Sequence, residues 1–167
     1  AKTFPGCLTQ YPPLNGYHLG MLGYRYDSSY NPFGFGGDHP VFKGCRKTWD
    51  NRCLLAENGL IELPVSNLRL GSVRIPWGGG GYFRLWPTSL FEWGVRRILS
   101  ADEVYVFYIH PWELDPRQPV VDGAPWLNKT RHYLNLSLTM DRLAHFLSSF
   151  REQTYVTCVD YINGNRN

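Results

Sequence analysis

The sequence predicts an α/β fold that is rich in loops, because strand-like and helix-like segments alternate along the chain. Six segments carry this alternation: the strand-like segments 24–27, 60–65, 104–109 and 155–162, and the helix-like segments 87–99 and 139–150. Gly and Pro supply 17 and 12 of the 167 residues, and they interrupt the chain between these segments. No internal repeat or second domain is visible, so we expect one domain or part of one.

Two of the strand-like segments are well marked. Residues 104–109 are β-branched or aromatic throughout, which predicts a strand buried on both faces, as in a parallel sheet. His110 follows this strand directly. Residues 60–65 alternate between the two faces of a strand, and Pro64 marks an edge or an end.

Both helix-like segments are amphipathic. Residues 87–99 place apolar side chains on one face, and Thr88 or Ser89 is the expected N-cap. Residues 139–150 repeat this pattern, with apolar side chains on one face at Leu143, Phe146, Leu147 and Phe150.

The composition excludes several classes of protein. A hydrophobic share of 43% with 19% charged residues excludes a disordered chain. A net charge of +3 without a basic run gives no reason to expect nucleic acid as a partner. No run of about 18 apolar residues is present, so we expect no transmembrane segment. The 6 Trp, 11 Tyr and 9 Phe residues suit sugar binding, although large aromatic side chains also build ordinary cores.

The four cysteines have no metal-binding or redox spacing, because no pair forms C-x-x-C. Residues 33–58 read as a long loop, and Cys45 and Cys53 flank a short polar part of it. A disulfide between these two cysteines is therefore possible. A secreted, disulfide-containing interaction domain is accordingly one of the alternative functions.

Two ionisable residues stand where predicted strands end. Asp27 ends the first strand and His110 follows the third, and functional groups of parallel α/β folds lie at such ends. An imidazole exchanges a proton near neutral pH, which suits His110 to general-acid catalysis. The alternative is that His110 only caps the strand.

The residues around these positions leave further alternatives open. The glycine run 78–81 lacks the spacing of a phosphate-binding loop, and it allows close approach by a ligand or by a neighbouring segment. Arg84 suits either a ligand carboxylate or hydroxyl, or a structural salt bridge. We expect Glu113 and Asp115 to fix their loop through Arg117. The remaining histidines show no metal-ligand spacing, so no metal site can be assembled from this chain.

Four segments together resemble the polysaccharide deacetylases. Residues 22–29 read LGYRYDSS, residues 80–87 GGYFRLWP, residues 107–116 FYIHPWELDP and residues 131–136 RHYLNL. The first is similar to a motif of NodB-like domains. Together they resemble the subgroup with a C-terminal extension that is linked to exopolysaccharide and exosortase systems. The resemblance runs from about residue 22 to residue 150.

The resemblance implies a fold and a reaction. The fold would be part of a distorted (β/α) barrel, with an irregular segment 1–23, the barrel part 24–115 and the family-specific extension 116–167. The reaction would be the metal-dependent hydrolysis of acetyl groups on amino-sugar polymers, with zinc as the usual metal. The resemblance further implies that the protein is secreted, periplasmic or associated with the cell envelope.

The resemblance also assigns roles to individual residues. His110 would be the general acid, and Asp27 would lie in the region that supports it. The substrate groove would include Arg84, Gly80 and Gly81, and the candidate sugar-stacking side chains are Trp77, Tyr82 and Trp112.

The metal-binding motifs of the family, T-F-D-D and H-x-x-x-H, are absent from this sequence, as is its R-A-P motif. We therefore expect no metal ligand in this chain, and no activity from the chain in isolation. Three explanations compete: a fragment that lacks its N-terminal half, one part of a split protein with a companion chain, or a non-catalytic carbohydrate-binding or structural remnant.

Overall fold

The computed structural model describes residues 19–31, 34–35, 46–47, 53–123 and 125–164. It confirms a mixed α/β architecture, and the described residues form no closed barrel. The chain divides into two compact units. Unit one comprises Ala1–Pro76 and Tyr155–Asn167, and unit two comprises Trp77–Thr154. No described helix has the length and apolar character needed to cross a membrane.

Unit one holds two small sheets of short strands. Their strands are β1 (Tyr26–Asp27), β2 (Gly34–Phe35), β3 (Arg46–Lys47), β4 (Leu54–Leu55), β5 (Ile61–Glu62), β6 (Asn67–Leu70) and β7 (Val73–Pro76). One sheet has the order β1-β5-β4-β3 and the other β2-β7-β6. Only β1 and β5 pair in parallel, and their register places Asp27 opposite Glu62. This pairing brings two carboxyl groups together across the sheet.

Unit two is helical in its described part. Its helices are α1 (Gly80–Leu85), α2 (Thr88–Asp102), α3 (Trp126–Tyr133) and α4 (Leu136–Ser149), with a 3₁₀ turn at Pro111–Leu114. Phe83, Phe91 and Phe146 meet edge to face with ring centroids 5.2–5.9 Å apart. These rings come from α1, α2 and α4, so burial of aromatic surface joins the three helices.

Both predicted helices are confirmed, with different ends. Helix α2 begins at Thr88 with Pro87 as its N-cap and no side-chain cap, so the predicted capping role of Thr88 or Ser89 is wrong. Pro87 suits this position because it has no N–H group that would remain unsatisfied. Helix α2 ends at Asp102, and its C-cap Glu103 has left-handed backbone (φ 59°).

Two strand predictions are wrong. Residues 104–109 form no strand; their named pairing is a single parallel bridge between Gly79 and Tyr108. A β-branched and aromatic run has the propensity for a strand, but a strand also needs a partner strand. Residues 155–162 instead contribute to helix α5 (Cys158–Gly164). Thr157 and Asp160 explain this start, because their side chains share a 2.6 Å hydrogen bond and the Asp160 N–H donates to Thr157 Oγ1.

Candidate functional site

Three sequence segments meet at the side chain of Arg84 in unit two. The guanidinium is buried and pairs with the buried carboxylate of Glu113, with Nη2 at 2.9 Å and Nε at 3.3 Å from Oε1. Its Nη1 donates to the carbonyl oxygens of His132 and Leu134, both at 2.8 Å. Arg84 therefore joins helix α1 to the 3₁₀ turn and to the end of α3. The structural salt bridge, one of the two roles left open by the sequence, accounts for its contacts.

The backbone of Arg84 is held by the segment that follows helix α3. The carbonyl oxygen of Arg84 accepts hydrogen bonds from Asn135 Nδ2 at 2.7 Å and from Arg142 Nη1 at 2.9 Å. Asn135 has left-handed backbone (φ 53°), a conformation that asparagine adopts more readily than most residues. The turn at Asn135 thus places the side-chain amide of Asn135 against the carbonyl oxygen of Arg84.

The glycine run provides space for the same turn. A Cβ on Gly80 would collide with the Glu113 carboxylate, and a Cβ on Gly79 would lie 2.6 Å from the Tyr108 hydroxyl. A Cβ on Gly81 would meet no atom within 4 Å. Gly80 is thus explained by close approach of a neighbouring segment, which is one of the two alternatives from the sequence, whereas space remains open at Gly81.

The backbone of His110 is fixed by Glu113. The His110 N–H donates to Glu113 Oε2 at 2.9 Å, and the Glu113 N–H donates back to the His110 carbonyl oxygen at 2.9 Å. Pro111 occupies the first position of the 3₁₀ turn, where its fixed φ angle is favourable. The Glu113 carboxylate therefore binds Arg84 with one oxygen and the His110 backbone with the other. The sequence suggested a tie from Glu113 to Arg117, whereas the structure pairs Glu113 with Arg84.

Five ring side chains form what we call the His110 cluster: Tyr108, His110, Trp112, His132 and Tyr133. Their neighbouring rings are in contact throughout. His110 stacks with Trp112 (centroids 5.7 Å apart, planes at 11°), and Trp112 stacks with His132 (4.2 Å, 10°). Tyr108 meets His110 edge-on at 5.8 Å, and Tyr133 meets His132 edge-on at 4.6 Å. Tyr108 and Trp112 are 40% and 37% exposed, so the cluster presents aromatic surface to solvent.

The other predicted groove residues of unit two lie in different surroundings. Trp77 is buried in the core, stacked with Trp86 and Phe91, and its indole N–H donates to the Phe91 carbonyl oxygen at 3.0 Å. Packing therefore accounts for Trp77, which turns no free face to solvent. Tyr82 is half-buried on helix α1. Of the three predicted stacking side chains, only Trp112 belongs to the His110 cluster.

Asp27, the second predicted catalytic residue, belongs to unit one and lies beside Glu62. Both residues are 6% exposed, and they lie opposite each other in the register of β1 and β5. Burial and the Asp27 charge raise the pKa of Glu62 from 4.5 to about 8, although backbone N–H groups of Tyr30 and Ser29 oppose the shift. Ser29 Oγ donates to Asp27 Oδ2 at 2.7 Å. At neutral pH the Glu62 carboxyl therefore keeps its proton.

The metal and disulfide predictions have separate outcomes. Among the residues that the structure describes, no three His, Cys, Asp or Glu side chains are grouped so as to hold a metal ion. These residues therefore do not fit the metal that the resemblance implies. Cys45 lies outside the described residues and Cys53 is fully buried, so their pairing stays a prediction. No disulfide joins Cys53 to Cys158.

Comparison with protein families assigns most of the chain. The model of a domain of unknown function, DUF3473, matches residues 28–160. The chain belongs to the DUF3473 family. No curated protein and no solved structure matches it. The DUF3473 region contains Arg84, the complete His110 cluster and Glu62, and it begins one residue after Asp27.

Sequence reasoning missed several contributors within the DUF3473 region. Glu62 lies in a predicted strand, but it had no predicted role. A carboxylate between apolar strand residues indicates a buried polar group that needs a partner or a proton. His132 was given no role in the site, although its ring stacks with Trp112. Gln118 carried no signal, because a single glutamine in a polar loop has no motif.

Proposed function

We propose that this DUF3473 chain forms part of a polysaccharide deacetylase-type protein, in which the His110 cluster binds an acetylated amino-sugar polymer and His110 is the general acid. The observation that carries the proposal is the stack of His110 on the exposed indole of Trp112, built on a turn that the buried Arg84–Glu113 pair fixes.

The cluster has the surface that sugar binding needs. Pyranose rings bind to flat aromatic faces through their C–H groups, and polar atoms at the rim set their orientation. Trp112 is 37% exposed at the centre of the cluster, and Tyr108 offers a second partly exposed aromatic side chain beside His110. A bound sugar unit at Trp112 would bring its substituents close to the His110 imidazole.

His110 would act on the nitrogen that leaves. Hydrolysis of an acetamide adds the oxygen of water to the acetyl carbonyl carbon, and the carbon–nitrogen bond then breaks. The leaving nitrogen takes a proton from the protonated imidazole of His110, so that a neutral amine departs. Acetate is the other product, and the imidazole regains its proton from solvent.

The resemblance implies that the complete enzyme activates its water with a divalent metal such as zinc. Since the described residues do not fit such a site, its ligands would come from outside them, and the resemblance offers an N-terminal half or a companion chain as their source. This arrangement is consistent with a chain that supplies the acid and the sugar surface.

Carbohydrate binding without catalysis is the second candidate function. It is supported by the fact that the aromatic cluster is complete within unit two, so that sugar binding there needs no residue from elsewhere. The two functions differ in what His110 contributes, because stacking needs a ring and acid catalysis needs a titratable ring.

The test uses the full-length gene product, and the companion chain if there is one, with N-acetylglucosamine oligomers as substrate. We expect His110→Ala to lower the rate of acetate release about a hundredfold or more. The matched control is His145→Ala, since His145 is 62% exposed and lies on helix α4 outside the cluster. An unchanged rate in His110→Ala would overturn the general-acid role, and no acetate release by the wild type would favour binding alone.

Sugar binding is measured separately by calorimetry with the same oligomers. We expect Trp112→Ala to weaken the affinity about tenfold, because it removes the partly exposed indole at the centre of the cluster. Trp93→Ala is the control, since Trp93 is 46% exposed on helix α2 and is not part of the cluster. Equal affinities of the two variants would count against the cluster as the sugar site.

A further inference from the structure

The orientation of the Gln118 amide is determined by its neighbours. Its Nε2 lies 2.9 Å from the carbonyl oxygen of Trp112 and 3.1 Å from that of Asp115. Carbonyl oxygens only accept hydrogen bonds, so the amide NH₂ must face them. The amide oxygen of Gln118 then points in the other direction, toward the ring of His132.

This orientation determines the tautomer of His132. Gln118 Oε1 lies 2.9 Å from His132 Nε2, and an amide oxygen cannot donate. His132 Nε2 must therefore carry the hydrogen, which leaves Nδ1 of the neutral ring as the nitrogen that takes up a proton. The backbone of His132 is held as well, because its carbonyl oxygen accepts from Arg84 Nη1 at 2.8 Å.

The same glutamine holds two members of the His110 cluster. It binds the backbone of Trp112 with its amide NH₂ and the ring of His132 with its amide oxygen. These two rings form the closest stack of the cluster, with centroids 4.2 Å apart and planes at 10°. Trp112 in turn stacks with His110. The half-buried side chain of Gln118 therefore connects the backbone of Trp112 to the imidazole of His132, which packs on the Trp112 indole.

We propose that Gln118 is the positioning residue of the His110 cluster: it holds His132 as the Nε2–H tautomer, flat against Trp112, and so fixes the indole that stacks with His110. The link from this arrangement to sugar binding rests on the proposed function. The tautomer and the ring position do not, because they follow from hydrogen-bond chemistry within unit two.

The direct test is nitrogen NMR of the full chain labelled at histidine and tryptophan, with His132→Gln and Trp112→Phe used to assign the signals of His132 and Trp112. At a pH where His132 is neutral, the wild type should show a protonated Nε2 and an unprotonated Nδ1. Gln118→Ala should give a mixture of tautomers and shifted ring signals of His132 and Trp112. Gln118→Glu should keep the Nε2–H tautomer, because a carboxylate oxygen also accepts, and it should raise the pH at which His132 takes up its second proton.

Gln153→Ala is the matched control, since Gln153 is an exposed glutamine of the same unit and lies outside the cluster. It should leave the His132 and Trp112 signals unchanged. A wild-type His132 with its hydrogen on Nδ1 would overturn the proposal, as would Gln118→Ala with unaltered His132 signals.

The functional part is tested by calorimetry with N-acetylglucosamine oligomers. If Gln118 positions the sugar-binding face, Gln118→Ala should weaken binding several-fold while Gln118→Glu keeps part of it. Unchanged affinity in a Gln118→Ala variant whose His132 has changed tautomer would refute this role. If no variant and no wild-type protein binds the oligomers, the proposed function fails, whereas the NMR result still decides the positioning role.

Discussion

Two buried glutamates, one in each unit, have neighbours of opposite kind. Glu62 of unit one lies beside the carboxyl of Asp27, and its pKa is raised to about 8. Glu113 of unit two lies beside the guanidinium of Arg84. The first is kept in the protein interior by a proton, whereas the second is kept there by a permanent cation. The stability of a buried carboxyl group can thus depend on the pH of the solution, as at Glu62, or on a partner side chain, as at Glu113. A change of pH tests the first, and a substitution of the partner tests the second.

The largest expected effect comes from removing the proton at Glu62. Because the pKa of Glu62 is about 8 in the folded protein and 4.5 ordinarily, its favourable contribution is complete below about pH 4.5 and is lost as the pH rises to about 8. The full difference corresponds to at most about 5 kcal/mol. Urea unfolding followed by circular dichroism between pH 4.5 and 9 measures it.

The matched variant for this prediction is Glu62→Gln. It keeps the shape and a hydrogen-bond donor toward Asp27, but it has no proton to lose. We expect the stability of the variant to depend less on pH than that of the wild type over this range. Parallel pH dependences of the two proteins would show that Glu62 does not keep its proton in the folded protein.

The next effect comes from removing the permanent cation. Arg84→Met leaves the Glu113 carboxylate buried without a counter-ion and removes the donors to the carbonyl oxygens of His132 and Leu134. We expect a loss of about 3–5 kcal/mol in the free energy of unfolding. Thermal and urea unfolding of the variant measure this loss.

Arg151→Met is the control, since the Arg151–Glu152 pair is almost fully exposed and should contribute less than about 1 kcal/mol. The double variant Arg84→Met with Glu113→Leu should recover part of the loss, because it removes both charges. If Arg84→Met were as mild as Arg151→Met, the buried pair would not hold the turn.

The smallest effect tests how closely Glu113 approaches helix α1. Gly80→Ala places a methyl group against the Glu113 carboxylate, and we expect it to cost about 1–3 kcal/mol. Gly81→Ala adds the same methyl group one residue later, where no atom lies within 4 Å. It should be neutral or stabilising by up to about 1 kcal/mol, because alanine favours a helix over glycine. Equal stabilities of the two variants would contradict the contact.

Sequence predictions of local features were more successful than predictions that depend on residues far apart in the chain. Helices α2 and α4 were predicted because their apolar periodicity is local. The strand at 104–109 was wrong because a strand depends on a partner elsewhere in the chain. Helix α5 was missed even though its cap, Thr157 with Asp160, is local. The T-x-x-D spacing there carries that information.

The sequence identified residues of the candidate site, but it did not identify the partners that these residues contact. His110, Trp112 and Arg84 were all identified, but Arg84 was also placed in a substrate groove, and the structure shows its guanidinium bound to groups 29 and 48 residues away. Glu62 escaped notice because its neighbour Asp27 is set by the register of a parallel strand pair, which sequence alone does not give.

The hydrogen bonds between His110 and Glu113 have a consequence for the entropy of binding. Because the N–H and the carbonyl oxygen of His110 are both bound to Glu113, and Glu113 is bound to Arg84, the backbone there is ordered when the chain folds. Its imidazole retains only its two side-chain torsions. A ligand that meets this ring has little conformational freedom left to restrict, so most of its contact energy goes into affinity.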